Sequence, residues 1–387
     1  MKPAGPRARL IDRIADVPAA TWDALANPPG HEFNPFVSHG FLKALEDSKS
    51  VGAAAGWRPA HALLEEGGAV VGAAPMYVKA HSYGEYVFDH QWADAFERAG
   101  GRYYPKLQVA VPFTPASGRR LLVGSNEAAR LPLAQALMQF AERMGVSSLH
   151  ITFAERDEWS ALQPLGFLQR TDQQFHWQNQ SYPDFAGFLA ALSSIKRKNL
   201  RRERAEALQA GITVEWLTGS DIKEAHWDAF FAFYMDTGSR KWGSPYLNRR
   251  FFSLVGAEMA ERILLVMVKR NGRYIAGALN FIGSDALYGR NWGAIEHHRF
   301  LHFELCYYQA IDFAIAKGLA RVEAGAQGAH KLARGYMPVE THSLHWIAHA
   351  GLRQAVERYL REERRAVSDE IEAMSEHGPF RKENAAD

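Results

Sequence analysis

The sequence predicts an α+β protein in which one unit of strands and helices is used twice. Three observations predict it: four short anchors recur in the same order, each half has a hairpin signal, and a basic stretch lies between the halves. The anchors are Trp22-Asp23-Ala24 and Trp227-Asp228-Ala229, Pro35-Phe36 and Pro245-Tyr246, Gly72 and Gly277, and Gly166-Phe167 and Gly335-Tyr336. The second copies of the first and third anchors both lie 205 positions after the first copies.

The first half predicts strands at 8–14, 61–64, 70–78 and 149–153, and helices at 17–26, 125–144 and 159–165. Gly67-Gly68 between two of the strands is a hairpin signal. The longest helix has an apolar stripe of helical period, formed by Leu131, Ala134, Leu137 and Phe140. We expect Ser125 to cap this helix and Gly145 to end it, and Gly166 to end the last helix.

The second half repeats this order, with strands at 212–217, 264–268 and 274–281 and helices at 221–235 and 303–317. Asn271-Gly272 is its hairpin signal, and Gly318 ends the last of these helices. Residues 184–210 read as a helical connector, 353–374 as a charged helix and 378–387 as a frayed end. We therefore expect a first domain at 1–180, a basic connector helix at 181–211 and a second domain at 212–387.

Composition narrows the class of protein. A net charge of +2 over 387 residues argues against a dedicated nucleic-acid coat. Cys306 is the only cysteine, which excludes intramolecular disulfides and favours a reducing compartment. No apolar run approaches the roughly 20 residues of a membrane helix, and the N-terminus has no secretory pattern. These features predict a cytoplasmic globular protein without a transmembrane segment.

Six strings along the chain resemble a known family. They are HSYGEYVFDHQW from residue 81, YYPKL from 103, PFTPASGRR from 112, YGRNWG from 288, LHFELCYYQ from 301 and GAQGAHKLARGYMP from 325. The sequence is similar to FemAB-like proteins of peptidoglycan synthesis or recognition. That resemblance implies a tandem GCN5-related N-acetyltransferase (GNAT) fold, as in Fem-type transferases. The family string carries an acid between Gly328 and His330, where this chain has Ala329.

The resemblance implies transfer of an acyl or aminoacyl group to the amine of a small molecule or peptide. Acyl-CoA and aminoacyl-tRNA are both possible donors. The usual GNAT pyrophosphate signature, Gln/Arg-x-x-Gly-x-Gly/Ala, is missing, since His330 stands three residues after Gln327. This absence slightly disfavours CoA. No metal cofactor is expected.

Amide formation needs a base for the attacking ammonium and an acid for the leaving group. Glu304, near the start of the predicted helix at 303–317, is the candidate base, and Tyr307 is the candidate acid. Tyr307 also lies on the apolar stripe of that helix, so a core position is the alternative. Cys306 as a nucleophile is the weaker hypothesis, because cysteines within helices are more often small core residues.

Residues 81–92 hold two histidines, two acids and four aromatics. If this segment is a strand, His81, Tyr83 and Glu85 share one face, opposite Ser82 and Tyr86. The predicted substrate-binding residues here are His81, Ser82, Glu85, Tyr86 and Asp89. The alternatives are a structural hydrogen-bond network, or a metal site made of His81, Glu85, Asp89 and His90.

Cations next to glycines or prolines predict anion contacts. Lys106 follows Pro105 on an expected rigid loop, where a single cation suits a phosphate or carboxylate. The glycine-rich string from 325 is the best anion-site candidate, since glycines allow close backbone approach. The other predicted substrate-binding residues are Arg290, Trp292, Gln327, His330, Lys331 and Arg334.

Residues 196–204 of the connector carry six basic residues and one acid. Such a helix is suited to phosphates and makes tRNA a possible partner. The alternative is a solvated helix that pairs with Glu362, Glu363 and Glu370.

The leading hypothesis is thus an N-acyl- or aminoacyltransferase that uses a groove between the two copies. The rival is a non-catalytic protein that recognises a peptidoglycan precursor or peptide. A metal-dependent enzyme is the third possibility. The sequence determines neither the oligomeric state nor which copy is active.

Overall fold

The computed structural model describes residues 5–209, 211–241, 245–326 and 328–381. The chain forms two compact units. The first unit takes residues up to 172 together with 340–368, and the second takes 173–339 together with the residues after 368. The structure therefore divides the chain differently from the sequence, which places the division near residues 181–211.

The first half supplies eight strands and five helices among the described residues. The strands are β1 (Arg7–Ile11), β2 (Trp57–Pro59), β3 (His61–Glu66), β4 (Ala69–Ala74), β5 (Met76–Lys79), β6 (Lys106–Val109), β7 (Ser148–Ala154) and β8 (Leu168–Gln178). The helices are α1 (Ala19–Ala26), α2 (His39–Asp47), α3 (His90–Arg98), α4 (Arg130–Met144) and α5 (Arg156–Ala161).

The rest of the chain supplies the remaining elements. The helices are α6 (Phe185–Ala191), α7 (Ser194–Ala207), α8 (Glu224–Lys241), α9 (Arg249–Met259), α10 (Leu301–Phe303), α11 (Gln309–Lys317) and α12 (Ala350–Glu376). The strands are β9 (Ile212–Leu217), β10 (Ile263–Arg270), β11 (Arg273–Ile282), β12 (Ala286–Ala294), β13 (Arg321–Glu323) and β14 (Met337–Ile347). A π-helical turn, Glu304–Tyr308, joins α10 to α11.

The last strand of each half belongs to the sheet of the other unit. In the first unit the strand order is β2-β5-β6-β7-β14, and β14 pairs with β7 in antiparallel register. In the second unit the order is β8-β13-β12-β11-β10-β9, and residues 176–178 of β8 pair with β13. Sequence periodicity identifies a strand but not its neighbours, so this exchange could not be predicted. It explains why residues 340–368 join the first unit.

The hairpin and helix-end predictions are confirmed. Gly67-Gly68 joins β3 to β4, and Asn271-Gly272 joins β10 to β11 with positive φ at both residues. Gly145 and Gly318 end α4 and α11 in the left-handed conformation. Only glycine adopts that conformation without a steric penalty, so these helix ends can be predicted from the sequence.

The predicted start of α4 is wrong. The helix begins at Arg130 after a 3₁₀ turn, Glu127–Ala129, and Ser125 is not its cap. Leu131 of the predicted stripe is 44% exposed, whereas Leu133 is buried. The predicted strand 70–78 is also divided, because Pro75 separates β4 from β5 and proline cannot donate to a sheet.

The predicted connector consists of two helices, α6 and α7. Asp184 caps α6 by accepting a hydrogen bond from the backbone N–H of Gly187 at 2.7 Å. The chain end folds back here: Leu192 forms a β-bridge with Phe380, and the Ser193 N–H donates to the carbonyl of Pro379 at 2.9 Å. The expectation of a frayed end is therefore wrong for residues 378–381, and 382–387 lie outside the described residues.

Gly293 is needed where β12 passes α8. An alanine Cβ at this position would lie 2.2 Å from the backbone oxygen of Phe233, which cannot move without shifting the helix. We expect Gly293→Ala to lower the free energy of unfolding by about 2 kcal/mol or more, as overpacking does. Gly289→Ala in the same strand is the matched control, since its Cβ would meet its nearest neighbour at 3.4 Å. Equal urea midpoints for the two variants would contradict the close approach.

Candidate functional site

The second unit has a pocket of about 370 Å³ near the ends of α8 and β12 and the start of α10. Its walls combine aromatic rings with cationic and titratable side chains. They include Arg240, Trp292, His297, His298, His302 and Phe303. Its volume falls in the range of small-molecule sites, which commonly place a few polar groups in a mainly apolar wall.

A hydrogen-bonded phenol–imidazole pair adjoins this pocket. The hydroxyl of Tyr307 and Nε2 of His330 are 3.0 Å apart. The pocket residues His302 and Phe303 contact the pair, with ring centroids 5.6 Å from Tyr307 and 5.5 Å from His330 respectively. Burial, with the nearby charges of Arg334 and Lys331, lowers the pKa of His330. A neutral imidazole can accept a proton, so this pair has the chemistry of a general base and its partner.

Glu304 lies in the π-helical turn and is fully buried, with 0% exposure. Arg204 Nη2 and Gln309 Nε2 donate to its Oε1 at 2.9 and 2.6 Å, and Arg204 Nε donates to Oε2 at 3.2 Å. Burial raises the pKa of Glu304, although the Arg204 charge opposes the shift. Arg204 also forms an ion pair with Asp312 at 2.7 Å. In this arrangement Glu304 fixes α7 to the turn, and its role as a base stays a prediction.

The other face of the turn holds Arg334. Its Nη2 donates to Glu203 at 2.8 Å, its Nε donates to the Tyr308 hydroxyl at 3.1 Å, and its guanidinium lies 3.5 Å from the ring centroid of Phe303. Tyr308 in turn hydrogen-bonds to Glu203. π-Helical turns often occur at functional sites. Here the turn directs Tyr307 towards His330 and Tyr308 towards Glu203.

The predicted anion-site residues are only partly assembled. Lys331 is buried and donates to the backbone oxygens of Ala324 and Gly325 at 2.6 and 3.0 Å. Burial lowers the pKa of Lys331 to about 8. Both Lys331 and Arg334 thus bind protein groups, and an anion clamp remains a prediction. Arg290 lies at an irregularity of the β11–β12 pairing, and Gln327 lies outside the described residues.

The first unit contains a separate cluster around Lys106. Its ammonium donates to Asp89 at 2.5 Å, to Glu85 at 2.7 Å and to Ser82 at 2.8 Å, and its side chain has no exposed surface. Lys79, also buried, lies 3.6 Å from Glu85. The prediction of a loop cation available to a ligand is wrong, because Lys106 begins β6 and its partners are the chain's own carboxylates.

Burial and pairing act differently on these charges. Burial raises the pKa of Glu85 to about 7 and lowers the pKa of Lys79 to about 7. Burial would also raise the pKa of Asp89, but the charges of Lys106 and His150 hold it well below its usual value. Two lysines and two carboxylates therefore form a buried cluster in which Asp89 is the firmly ionised acid.

The cluster continues to the exchanged strand β14. The Tyr103 hydroxyl donates to Asp89 at 2.7 Å and lies 3.3 Å from His150 Nε2. His150 on β7 and His345 on β14 share an Nδ1-to-Nδ1 hydrogen bond of 2.6 Å. Burial, with the nearby charge of Lys106, lowers the pKa of His150 to about 3. The His150 imidazole is therefore uncharged at neutral pH. A polar chain thus holds β14 in the first unit.

Residues 81–89, for which a strand was one possibility, form a loop with a turn at Tyr83-Gly84. Ser82, Glu85 and Asp89 converge on Lys106 instead of alternating between two faces. Gly84, at φ 80°, causes the difference, because that conformation ends strand alternation. His81 Nε2 bonds to the backbone oxygen of Ala55 at 3.1 Å, away from the cluster.

The metal hypothesis is not supported in the described ranges. No group of three or more histidine, cysteine, aspartate or glutamate side chains there is arranged to hold a metal ion. Glu85 and Asp89, two of the four proposed ligands, accept hydrogen bonds from Lys106. The structural network considered for the 81–92 segment is the arrangement observed.

A family model for peptidoglycan biosynthesis and recognition matches residues 13–382. The chain belongs to the FemAB-like family. The crystal structure of FemX is similar to this FemAB-like protein with a TM-score of 0.57 and 14% identity, covering 88% of this chain and 98% of FemX. L-PGS from Bacillus licheniformis gives a TM-score of 0.52 at 10% identity over 86% of this chain and 98% of its own.

A tandem GNAT protein from the clavulanic acid biosynthesis pathway is a further structural neighbour, with a TM-score of 0.47 and 11% identity over 89% of this chain and 99% of its own. No curated protein matches the sequence. The fold of this FemAB-like protein is mixed α+β, as the sequence predicts. Its family acts in peptidoglycan biosynthesis or recognition.

The basic stretch of this FemAB-like protein lies on α7 and has two faces. Glu203 and Arg204 point inward to Arg334 and Glu304. Lys198, Arg201 and Arg202 are exposed, and none of them takes part in an ion pair within the part of the chain the structure describes. Glu363, one of the acids expected to neutralise the helix, instead binds Arg170 at 2.7 Å.

Sequence reasoning missed the histidines of the FemAB-like pocket. His297, His298 and His302 lie within six residues of each other, immediately before and within α10. This concentration of histidines just before a helix is the sequence signal that could have found them. No sequence signal marks Arg240, because only the fold brings α8 to this position. No helix in the described ranges is long and apolar enough to span a membrane.

Proposed function

We propose that this protein is a transferase that forms an amide on an amine acceptor, with the reaction centre in the second unit beside the pocket. The observation that carries the proposal is the 3.0 Å contact between Tyr307 and His330 next to the pocket wall. Membership of the FemAB-like family supports peptidoglycan precursors as the class of acceptor.

In the proposed reaction the acceptor amine attacks the carbonyl carbon of an activated acyl or aminoacyl group. The C–N bond forms, and the C–O bond to tRNA or the C–S bond to CoA breaks. His330 accepts the proton that the amine nitrogen loses as the C–N bond forms, and Tyr307 donates its proton to the leaving oxygen or sulfur. His330 then returns a proton to Tyr307 across their hydrogen bond. Glu304 was predicted as the base. Its burial and its bonds to Arg204 and Gln309 favour a positioning role, in which it holds the turn that carries Tyr307.

Aminoacyl-tRNA is the proposed donor and acyl-CoA is the alternative. Two observations favour tRNA: the GNAT pyrophosphate signature is absent, and α7 presents Lys198, Arg201 and Arg202 without ion-pair partners in the described residues. A polyphosphate ligand gains most from such a face, because each neutralised phosphate releases counterions. Either donor places the proposed reaction in the cytoplasm.

Recognition without catalysis is the second candidate. It is favoured by the internal pairing of both predicted clamp cations, Lys331 and Arg334, which leaves the pocket as a binding feature without an evident donor site. In that case the pocket binds an amine-bearing peptide and no donor is consumed.

Calorimetric titration of the protein with acetyl-CoA and, separately, with a mixture of charged tRNAs tests the proposal. We expect micromolar binding of charged tRNA that weakens steeply as salt is raised, and little binding of CoA. The triple variant Lys198→Gln, Arg201→Gln, Arg202→Gln is expected to reduce the salt dependence. Micromolar binding of CoA would indicate acyl-CoA as the donor instead of aminoacyl-tRNA. No binding of either ligand would favour recognition without catalysis.

A further inference from the structure

The segment 81–90 buries its polar side chains and exposes its aromatic ones. Ser82, Glu85 and Asp89 are at most 4% exposed, whereas Tyr83 is 60% exposed and Phe88 57%. Tyr86 is 37% exposed. In the described ranges no other stretch of six residues exposes three large apolar side chains. Clustered apolar exposure of this kind marks an interaction surface more often than isolated exposed residues do.

The backbone of this segment is fixed from beneath. The Trp57 indole N–H and the Lys79 ammonium both donate to the backbone oxygen of Tyr83 at 3.1 Å. Arg170 donates to the backbone oxygen of Phe88 at 2.8 Å. The rings therefore project from a rigid base, and a ligand would bind without first ordering the loop.

Tyr86 gives a second, independent observation. Its φ is 60°, in the left-handed region that tyrosine rarely adopts. Here it keeps the Tyr86 side chain outside while the neighbouring Glu85 and Val87 are buried.

The charges around the surface limit its partner. Glu85 and Asp89 are matched by Lys79 and Lys106, so neither contributes a free negative charge. Between Lys79 and Arg98 the chain has no lysine or arginine, and the first exposed charge after the loop is the acid Asp94. An anionic lipid surface or a nucleic acid requires cations that this segment lacks.

The remaining polar groups of the surface are phenols and imidazoles. They are the phenol hydroxyls of Tyr83 and Tyr86 and the imidazoles of His81 and His90, whose centroids lie 5.2 and 5.6 Å from the Tyr83 ring. Aromatic faces with a few hydroxyl and imidazole groups match a pyranose ring, which has an apolar C–H face and a rim of hydroxyls.

We propose that Tyr83, Tyr86 and Phe88 form a binding surface for uncharged saccharides, with pyranose rings stacked on the aromatic side chains. Residues Glu85, Asp89 and Lys106 are positioning residues that hold the loop from below. The surface lies entirely in the first unit. Its binding does not depend on a donor or on amide formation.

Titration with chitotetraose, the β-1,4-linked tetramer of N-acetylglucosamine, tests the proposal. We expect binding in the roughly millimolar range or tighter, detected by calorimetry and by NMR shifts of the loop aromatics. The double variant Tyr83→Ser, Phe88→Ser is expected to weaken binding at least tenfold. Leu131→Ser, which removes a 44% exposed apolar side chain of α4, is the matched control and is expected to bind normally.

A conservative variant separates stacking from folding. Tyr83→Trp, Phe88→Trp keeps aromatic faces and is expected to retain binding, and circular dichroism should be unchanged in all variants. No binding by the unmodified protein, or equal binding by the serine variant, would overturn the proposal. So would sedimentation of the unmodified protein, but not the serine variant, with phosphatidylglycerol vesicles. These experiments use no donor, so failure of the proposed transfer reaction would not affect them.

Discussion

Replacing Lys106 with methionine is expected to lower the free energy of unfolding by about 3–5 kcal/mol, the usual cost of removing one partner from a buried ion pair. Lys106 has no exposed surface and its ammonium contacts both Asp89 and Glu85. Without it, Asp89 would remain charged or take up a proton in a buried site. Urea unfolding monitored by tryptophan fluorescence measures the loss.

Two controls make this result specific. Lys43→Met removes a lysine from a surface pair with Asp47, where about 0.5 kcal/mol or less is expected. The double variant Lys106→Met, Asp89→Asn removes the Lys106–Asp89 pair and leaves Glu85 with Lys79, so it is expected to recover much of the stability, since the cost comes from the unpaired Asp89 carboxylate. A double variant no more stable than Lys106→Met would show that packing, not charge, sets the cost.

Changing the phenol–imidazole pair is expected to lower kcat for amide formation by about 10²–10⁴-fold, the usual contribution of acid–base catalysis. His330→Gln preserves a hydrogen-bonding atom near Tyr307 but cannot carry the proton, and Tyr307→Phe removes the hydroxyl. KM should change little in comparison. His377→Gln, an exposed histidine in the chain-terminal part of the second unit, is the control.

The pH profile distinguishes a base from a merely structural histidine. Since the pKa of His330 is lowered from its usual 6.5, the neutral form persists to lower pH. The acid limb of kcat/KM is therefore expected below about pH 6.5 and should disappear in His330→Gln. Glu304→Gln is expected to lower activity less and to leave that limb in place. If the acid limb of kcat/KM is unchanged in His330→Gln, or is lost in Glu304→Gln, Glu304 rather than His330 is the base.

Local backbone demands made much of the fold predictable. Gly67-Gly68 and Asn271-Gly272 mark the two hairpins, because few residues tolerate positive φ, and Gly145 and Gly318 mark helix ends for the same reason. The start of α4 was missed because a 3₁₀ turn precedes it, and a serine at a plausible spacing proved not to be the cap. Strand pairing depends on contacts distant in sequence and leaves no local signal.

The candidate site was predictable by residue type more than by role. Trp292, Tyr307 and His330 all come from the strings that resemble the family. In the structure they lie in or beside the pocket. Lys106 was misplaced because a lysine after proline looks exposed, and only the folded loop brings Glu85 and Asp89 to it. Burial cannot be read from one position when the partners are separated by 17 or more residues.

The exchange of last strands makes the two halves of the gene product obligate partners. A chain cut between residues 178 and 212 would yield an N-terminal fragment that lacks β14 and a C-terminal fragment that lacks β8. Each would present an unsatisfied sheet edge, at β7 or at β13, of the sort that promotes aggregation. Neither fragment is then a self-sufficient folding module.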